Sequence, residues 1–327
     1  MRPARLAEGA SRRRGGGGRQ PARQRLRAAR RARTSARDRC VVARPWDDCT
    51  AMPRFVLCTL GDLLLDVIVR LQQPLEPGTD ATAETRTGAG GQAANVAAWA
   101  AALGAEARFV GKRGDDPAAT LAAGELARLG VTVFGPVALG RNGVVVSIVG
   151  EAGERAMASD RGVAPTLSAD ELEPAWFEGA THLHLSGYSL MSSPIDGAAA
   201  RAAGLIRAGG GAVSVDLASW KVIAEFGADR LRRVLRELGP ELVFANEEER
   251  AEIGPGAAFE ATWVLKRGAA GAAIERDGER SDFPAVPTEV VDTTGAGDAF
   301  AAGYLVGGVE LALETAARCV ASLGATP

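Results

Sequence analysis

From residue 54 onward, short runs of β-branched and apolar residues alternate with longer segments in which apolar residues recur at helical spacing. Short apolar runs between turn residues are typical of buried strands, and apolar positions three and four apart are typical of helices. Strands are predicted at residues 55–60, 107–111, 144–149, 181–186, 212–216, 242–245, 263–266 and 272–275. Helices are predicted at residues 92–103, 117–129, 169–174, 195–208, 229–238, 247–253, 296–306 and 311–323. The alternation predicts an α/β fold whose mostly parallel sheet is covered on both faces.

Two stretches, residues 67–87 and 133–159, fit this sheet poorly. They are rich in Gly, Pro, Thr and charged residues, and the second contains an alternating apolar run at residues 144–149. Such alternation is typical of strands with one exposed face. We therefore expect a small accessory sheet, placed as a lid beside the carboxyl ends of the parallel strands.

The net charge of −2, from 38 basic and 40 acidic residues, conceals two unlike segments. Residues 1–50 hold 15 Arg and four acidic residues, a balance of +11, which leaves residues 51–327 at −13. No apolar stretch approaches the roughly 20 residues of a membrane-spanning helix. We expect neither a membrane nor a nucleic acid as partner, because the acidic remainder would oppose a polyanion.

The Arg-rich head, residues 1–52, is predicted to be disordered, because it combines strong self-repulsion with few large apolar residues. Three interpretations compete for it. A polyanion-binding tail lacks aromatic residues before Trp46, and a secretory signal lacks its apolar core. We favour an inert extension, or an upstream segment that precedes a natural start at Met52.

Cysteine and histidine residues indicate neither a disulfide framework nor a zinc site. Cys40, Cys49, Cys58 and Cys319 form no C-x-x-C pair, which is typical of a reducing, cytoplasmic compartment. His182 and His184 are expected on one face of a strand. Two such residues could begin a metal site, but ordinary strand histidines are the favoured interpretation.

The segment from Val290 to Phe300 carries the most informative chemistry. An apolar approach is followed by Gly295, Ala296 and Gly297 and then by an apolar helical run. This pattern predicts backbone amides exposed at a helix N-terminus, where unpaired N–H groups and the helix dipole attract an anion. Asp298 would repel a phosphate at that position unless it accepts a proton from an attacking hydroxyl. The alternative is that Asp298 only stabilises the first helical turn.

These residues carry a family resemblance. The run Asp292-Thr-Thr-Gly-Ala-Gly-Asp298 resembles the D-T-x-G-A-G-D signature of the PfkB/ribokinase family of carbohydrate kinases. The run Gly90-Gly91-Gln-Ala-Ala-Asn95 is similar to that family's G-G-x-x-x-N segment, about 200 residues earlier. The resemblance implies a ribokinase-like three-layer α/β/α domain over residues 53–327, with a small β-sheet lid near residues 67–87 and 133–159.

The resemblance also implies roles for the residues of both motifs. Asp298 corresponds to the catalytic base, and the amides of Gly295, Ala296 and Gly297 correspond to the anion hole for the transferred phosphoryl group. The expected sugar-binding residues are Asp66, Gly90, Gly91 and Asn95.

Asp66 is informative on physical grounds as well, because a buried carboxylate in an apolar strand requires a partner or a ligand. Two positions before it, ribokinase itself carries Asn where this chain has Leu64, a departure that disfavours ribose as the acceptor.

Three further segments are expected to hold the nucleotide. Asn246-Glu-Glu-Glu249 resembles the family's N-x-x-E motif, which implies an indirect, water-mediated contact to Mg²⁺ by Asn246 and Glu249. The same pair could be a simple helix cap. Lys266 and Gly268 match the family's glycine-rich turn beside the nucleotide, and Thr293 belongs to the D-T-x-G-A-G-D signature.

Several alternatives remain open. Residues 88–93 satisfy the G-x-G-x-x-A dinucleotide pattern, but the required buried strand is missing before them. An unphosphorylated sugar is favoured as acceptor, whereas Arg108, Lys112, Arg113 and Arg161 support a sugar phosphate. A catalytically silent binding protein is a further alternative, because the chain stops 29 residues after Asp298, earlier than is usual in the family.

The resemblance implies ATP and Mg²⁺ as cofactors, with K⁺ as a candidate, and a homodimer formed through the lid.

Overall fold

The computed structural model describes residues 55–150, 155–254 and 260–327, so the predicted extension at residues 1–52 lies outside the described residues. The strands are β1 Val56–Leu60, β2 Leu64–Leu71, β3 Ala83–Gly90, β4 Glu106–Val110, β5 Thr132–Phe134, β6 Asn142–Val149, β7 Arg155–Gly162, β8 His182–Ser186, β9 Ala212–Asp216, β10 Leu242–Asn246, β11 Thr262–Lys266, β12 Ala272–Arg276 and β13 Glu279–Phe283. The helices are α1 Gln92–Ala102, α2 Pro117–Arg128, α3 Gly187–Leu190, α4 Ile195–Ala208, α5 Trp220–Phe226, α6 Ala228–Leu238, α7 Glu247–Ile253, α8 Ala296–Gly307 and α9 Val309–Val320.

Within the described residues, the large sheet has nine strands in the order β13-β12-β11-β10-β9-β8-β1-β4-β5. The strands from β11 to β5 pair in parallel, and only β12 and β13 join antiparallel. The chain leaves β1 toward β4 on one side and later returns to β8 on the other. In open α/β sheets such a switch point opens a crevice at the carboxyl ends of the strands, where ligands bind.

Both faces of this sheet are buried, as the sequence alternation predicts. Along β1, Cys58 packs on the side of α4 and α6, whereas Leu57 packs on the side of α1, α8 and α9. Phe109 and Phe244 lie on the same side as Leu57 and are fully buried. The helix, sheet and helix layers confirm the predicted three-layer fold with a mostly parallel sheet.

A second sheet of four strands, in the order β3-β2-β6-β7, lies where the lid is predicted, but with other bounds. Its strands reach back to Leu64 and forward to Gly90 and Gly162, beyond the predicted segments. The start of the second predicted segment is wrong, because Thr132–Phe134 pairs with β4 in the large sheet. We call this four-stranded sheet the lid sheet.

One local prediction is wrong, and the edge strand β13 was not predicted. Residues 169–174 form two one-turn 3₁₀ helices, Ala169–Glu171 and Pro174–Phe177, rather than one α-helix. Pro174 has no N–H and disfavours helical geometry at the residue before it, so a continuous helix cannot pass through this point. Strand β13 was not predicted because its sequence, E-R-S-D-F, is mostly polar, as an exposed edge strand allows.

His182 and His184 lie on one face of β8 and share one partner on β9. Each ring places a nitrogen 2.8 Å from Ser214 Oγ, and all three side chains are buried. Burial lowers the pKa of each histidine to about 3, with a smaller effect of His184 on His182 and of Lys266 on His184. Among the described residues, no group of three or more His, Cys, Asp or Glu side chains that could hold a metal ion lies around them.

In the described part of the chain, no helix has the length and apolarity needed to cross a bilayer.

Cys58 and Cys319 are buried free thiols, and burial raises the pKa of each to about 12. A raised pKa disfavours the thiolate, which is the nucleophilic form of cysteine.

Candidate active site

The parallel strands end in polar residues at one edge of the large sheet. Asp62 follows β1, Tyr188 follows β8, and Asp216, Asn246 and Lys266 are the last residues of β9, β10 and β11. Since these strands run in parallel, their last residues meet around the crevice at the switch point.

Helix α8 begins at the same edge and carries Asp298 in its first turn. Gly295 caps this helix in a left-handed conformation, with φ of +75°. Before it, Asp292 accepts hydrogen bonds from the Thr294 N–H at 2.9 Å, the Thr294 hydroxyl at 2.6 Å and the Gly324 N–H at 3.0 Å. Asp292 therefore ties the turn to the C-terminal segment and gives it a defined shape.

The three amides predicted to form the anion hole are not equivalent. The Ala296 N–H donates to the Thr293 carbonyl at 3.3 Å, a long and weak bond. Within the described residues, the Gly295 and Gly297 amides make no such turn bond. An anion at this helix start would therefore be held mainly by Gly295 and Gly297, with Ala296 contributing only if its turn bond yields.

Gly295→Ala should destabilise the fold by about 1–3 kcal/mol, because Ala is strained at positive φ and its β-carbon collides with a neighbour. That β-carbon would stand 2.6 Å from the Ala325 backbone. The measurement is urea unfolding. Gly308→Ala is the matched control, since Gly308 has φ of +88° but no atom within 4 Å of an added β-carbon. Equal losses in both variants would contradict a role for the Ala325 contact.

Asn95 and Asp298, from the two sequence motifs, are in direct contact. Asn95 lies on α1, which packs against α8, and its Nδ2 donates to Asp298 Oδ2 at 2.8 Å. The Asn95 side chain is 6% exposed, and its Oδ1 has no hydrogen-bond partner among the described residues. This oxygen can accept a hydrogen bond from a ligand hydroxyl that lies beside Asp298.

The remaining predicted sugar-binding residues meet where the lid sheet joins the large sheet. Asp66 lies on β2 and is 7% exposed. A β-carbon at Gly90 would stand 2.8 Å from the Asp66 β-carbon, and one at Gly91 would stand 2.3 Å from the Asp62 carbonyl oxygen. Both glycines are thus required by close packing around the two aspartates.

Sequence reasoning missed the roles of Asp62 and Tyr188. Arg161, on lid strand β7, places Nε and Nη2 at 2.5 and 3.1 Å from the two Asp62 oxygens, and its guanidinium lies 5.8 Å from the Tyr188 ring centre. Burial raises the pKa of Tyr188, which hydrogen-bonds Ser219. An acidic residue directly after the first strand was the available signal for Asp62.

Asp216 was missed as well, although it ends a predicted strand. Its carboxylate is fully buried and lies 2.6 Å from Lys266 Nζ. The pairing of β9 and β11 on either side of β10 brings these two strand ends together. Lys266 was predicted beside the nucleotide, but its side chain is 15% exposed and is turned toward Asp216.

Asn246 and Glu249 form the reciprocal helix cap that the sequence allows. Asn246 Oδ1 accepts from the Glu249 N–H at 2.7 Å, and Glu249 Oε2 accepts from the Asn246 N–H at 2.8 Å. Burial raises the pKa of Glu249, opposed by nearby Lys266. Gly268 lies in a one-turn 3₁₀ helix after Lys266, and Thr293 is exposed just before the α8 turn.

Comparison with known proteins identifies the family of this chain. The sequence model of the pfkB family carbohydrate kinases matches residues 56–326, which include both glycine motifs. The chain belongs to the pfkB family of carbohydrate kinases. As members of a kinase family that uses ATP, such proteins are enzymes of phosphoryl transfer.

The relatives include kinases of sugars and of a sugar phosphate. An ATP-dependent ribose-1-phosphate kinase from Halopiger xanaduensis is 32% identical over 279 residues, covering 79% of this chain and 88% of the relative. A fructokinase from Klebsiella pneumoniae is 32% identical over 237 residues, covering 67% and 76%. A structure from E. coli assigned as a ribokinase II, in complex with ATP and Mg²⁺, has a TM-score of 0.68 and 24% identity over 84% of this chain and 93% of that one.

Proposed function

We propose that this pfkB family member transfers the γ-phosphoryl group of ATP to a hydroxyl of a sugar or sugar derivative, with Asp298 as the catalytic base. The 2.8 Å contact between Asn95 and Asp298 carries the proposal. It brings a predicted sugar-binding residue and the predicted base, 203 positions apart in the sequence, into direct contact. The contact lies at the start of a helix, where the first amides attract anions.

The acceptor hydroxyl would lie between Asn95 Oδ1 and the Asp298 carboxylate. Asn95 accepts one hydrogen bond and orients the hydroxyl, and Asp298 accepts the proton as the oxygen attacks phosphorus. Gly90 and Gly91 let Asp66 and the Asp62 backbone come close enough to bind the remaining hydroxyls. The Gly295 and Gly297 amides, assisted by Ala296, stabilise the charge on the transferred group.

Mg²⁺ would neutralise the nucleotide phosphates and polarise the group that is transferred. The residues present fit an indirect site, because Asn246 Oδ1 and Glu249 Oε2 already accept backbone hydrogen bonds. Asn246 and Glu249 already bond each other, so we assign them to water-mediated contact with the ion. Lys266, Gly268 and Thr293 are assigned to the nucleotide side, and K⁺ is a candidate activator to be tested by salt exchange.

An unphosphorylated acceptor is favoured because most of the basic side chains considered as phosphate ligands are already paired. Arg108 binds Glu106 at 2.7 Å and Lys112 binds Glu171 at 2.7 Å. Arg161 is held by Asp62. Arg113 alone of these four has a buried nitrogen, Nη1, without a hydrogen-bond partner among the described residues.

The sugar-phosphate alternative is favoured by one observation, the similarity to a ribose-1-phosphate kinase. Arg161 is the residue that would read such a phosphate, since it reaches the acceptor side from the lid sheet. Arg161 would then give up its ion pair with Asp62 and bind the phosphate of the ligand instead.

The test is an ADP-release assay over two matched acceptor pairs, ribose with ribose 1-phosphate and fructose with fructose 1-phosphate, and over nucleosides and keto-deoxy acids. We expect turnover with at least one free sugar and little with its phosphate. Preference for the phosphates would select the alternative. No turnover with any acceptor, in the presence of Mg²⁺ and K⁺, would contradict the kinase proposal and favour a silent binding protein.

We also propose a homodimer formed through the lid sheet. The face opposite Asp66 carries seven apolar side chains that are only half-buried in one chain: Leu65, Val67, Val69, Leu71, Val144, Val146 and Ile148. A continuous apolar face of this kind is typical of a protein interface.

Val146→Arg should convert the dimer into single chains, because an arginine in the middle of this face cannot be buried without a partner. Light scattering during size-exclusion chromatography measures the change. Leu121→Arg, on the exposed side of α2, is the control and should leave the mass unchanged. A wild-type protein that runs as single chains would overturn the dimer.

A further inference from the structure

Lys266 is a mostly buried cation in an acidic site. Its Nζ lies 2.6 Å from Asp216 Oδ2, and the carboxylates of Glu249 and Asp298 are also near enough to raise its pKa. Asp216 makes the largest favourable contribution, against the opposing effect of burial. The side chain therefore stays protonated at neutral pH.

Asp216 is held in place by strained backbone. Its Oδ1 accepts from the Ala218 N–H at 3.3 Å, and Ala218 has φ of +77°, which is rare for a residue other than glycine. The Ser219 N–H donates to the Leu217 carbonyl at 3.0 Å across this residue, closing a γ-turn. Strain of this kind persists at sites where the surrounding structure requires one conformation.

The ammonium group lies against the start of α8. A β-carbon added at Gly297 would stand 3.3 Å from Lys266 Nζ and 3.6 Å from its Cδ. Gly297 is one of the residues assigned to the anion hole, and Asp298 follows it directly. The cation is thus next to the place where phosphoryl transfer is proposed.

We propose that Lys266 is a catalytic residue whose ammonium donates a hydrogen bond to an oxygen of the transferred phosphoryl group, and that Asp216 is the positioning residue that aims it. This inference rests on the proposed function and refines the general nucleotide contact predicted for Lys266. It follows from the position of Nζ between a fixed carboxylate and the Gly297 backbone.

The step itself is balanced without loss of a lysine proton. The acceptor oxygen forms a bond to the γ-phosphorus, and the bond from that phosphorus to the β,γ-bridging oxygen breaks. The hydroxyl proton passes to Asp298, and ADP leaves with the bonding electron pair. Lys266 only stabilises charge on the phosphoryl oxygens, where a preorganised cation in a dry site is most effective.

A purely structural role explains the ion pair less well. Burying two charges is expensive, and a buried ion pair is often no more stabilising than apolar residues of equal volume. Within the nucleotide side, the ammonium is turned inward to Asp216 rather than toward the exposed turn at Gly268, which favours the γ-phosphoryl end over the rest of the nucleotide.

The experiment compares Lys266→Met, which keeps the chain length without the charge, with the wild type. Lys266→Met alone would leave the buried Asp216 carboxylate without its cation. The double variant Lys266→Met/Asp216→Asn also removes that charge and so guards against unfolding. Lys221→Met, at an exposed lysine on α5, is the matched control. Titration calorimetry with Mg²⁺ measures the affinity for ADP alone and for ADP with aluminium fluoride, a stand-in for the transferred group.

We expect both Lys266 variants to bind ADP within about threefold of wild type but to lose the extra affinity given by aluminium fluoride. Their kcat should fall by about 10²–10³, as when one oxyanion donor is removed. Asp216→Asn alone should lower kcat and leave the acceptor KM unchanged.

An equal loss of affinity with and without aluminium fluoride would show a general nucleotide contact and overturn the proposal. Unchanged affinities in a folded variant would show a structural ion pair and overturn it as well. Failure of the proposed function is seen separately, as absence of ADP release by the wild type with every acceptor.

Discussion

Asp298→Asn should lower kcat by about 10²–10⁴, the usual contribution of a general base. Asparagine has nearly the same shape, and its amide oxygen can still accept the hydrogen bond from Asn95. The anion hole and the nucleotide side keep their geometry, so calorimetry should find an unchanged affinity for ADP. The loss should appear in kcat rather than in binding, because only the proton acceptor is removed.

Asp277→Asn is the matched control for this change. Asp277 is 88% exposed, lies in the turn between β12 and β13, and has φ of +53°, a conformation that asparagine tolerates well. It should retain wild-type activity. An Asp298→Asn enzyme with more than about a tenth of the wild-type kcat would contradict the mechanism, since general bases contribute at least 10²-fold.

The second large effect is a loss of stability in mild acid caused by His182 and His184. Their pKa values are about 3 in the folded protein and near 6.5 when exposed, so they stay neutral while folded. The unfolded chain therefore binds more protons once the pH falls below 6.5. The free energy of unfolding should decrease from there toward pH 3, by at most about 1.4 kcal/mol per pH unit for each histidine.

Urea unfolding between pH 7 and pH 5 measures this slope, because most carboxylates remain ionised in that range. Glu249, whose raised pKa favours the folded state as pH falls, acts in the opposite direction. The variant His182→Gln/His184→Gln keeps Glu249 and removes both histidines. It should be less stable at pH 7 yet show a flatter slope, and an unchanged slope would exclude the histidine pair as the cause.

Most of the fold was predictable because both faces of the large sheet are buried. Burial on both sides produces the near-continuous apolar runs of β1, β8, β9 and β10, and these are easy to recognise. The edge strand β13 and the ends of the lid sheet are exposed and mostly polar, so their composition does not distinguish them from loops.

The site was predictable only where residues lie in recognisable motifs. Asn95 and Asp298 were each predicted from a separate motif of one family, and the structure places them in contact. The contact between Asp216 and Lys266 depends on the register of three neighbouring strands, which no local pattern reveals. Asp62 and Arg161 depend in the same way on how the lid sheet approaches β1.

The proposed acceptor site is divided between the lid sheet and two helices of the main layers. Asp66 and Arg161 belong to the lid sheet, whereas Asn95 and Asp298 stand on helices of the main layers. A sugar that contacts both sets crosslinks them, so it should slow hydrogen exchange of amides in β2 and β7 as well as at the start of α8. Slower hydrogen exchange in β2 and β7, strands that do not carry the proposed base Asp298, would then show that the acceptor is bound in solution, even without turnover.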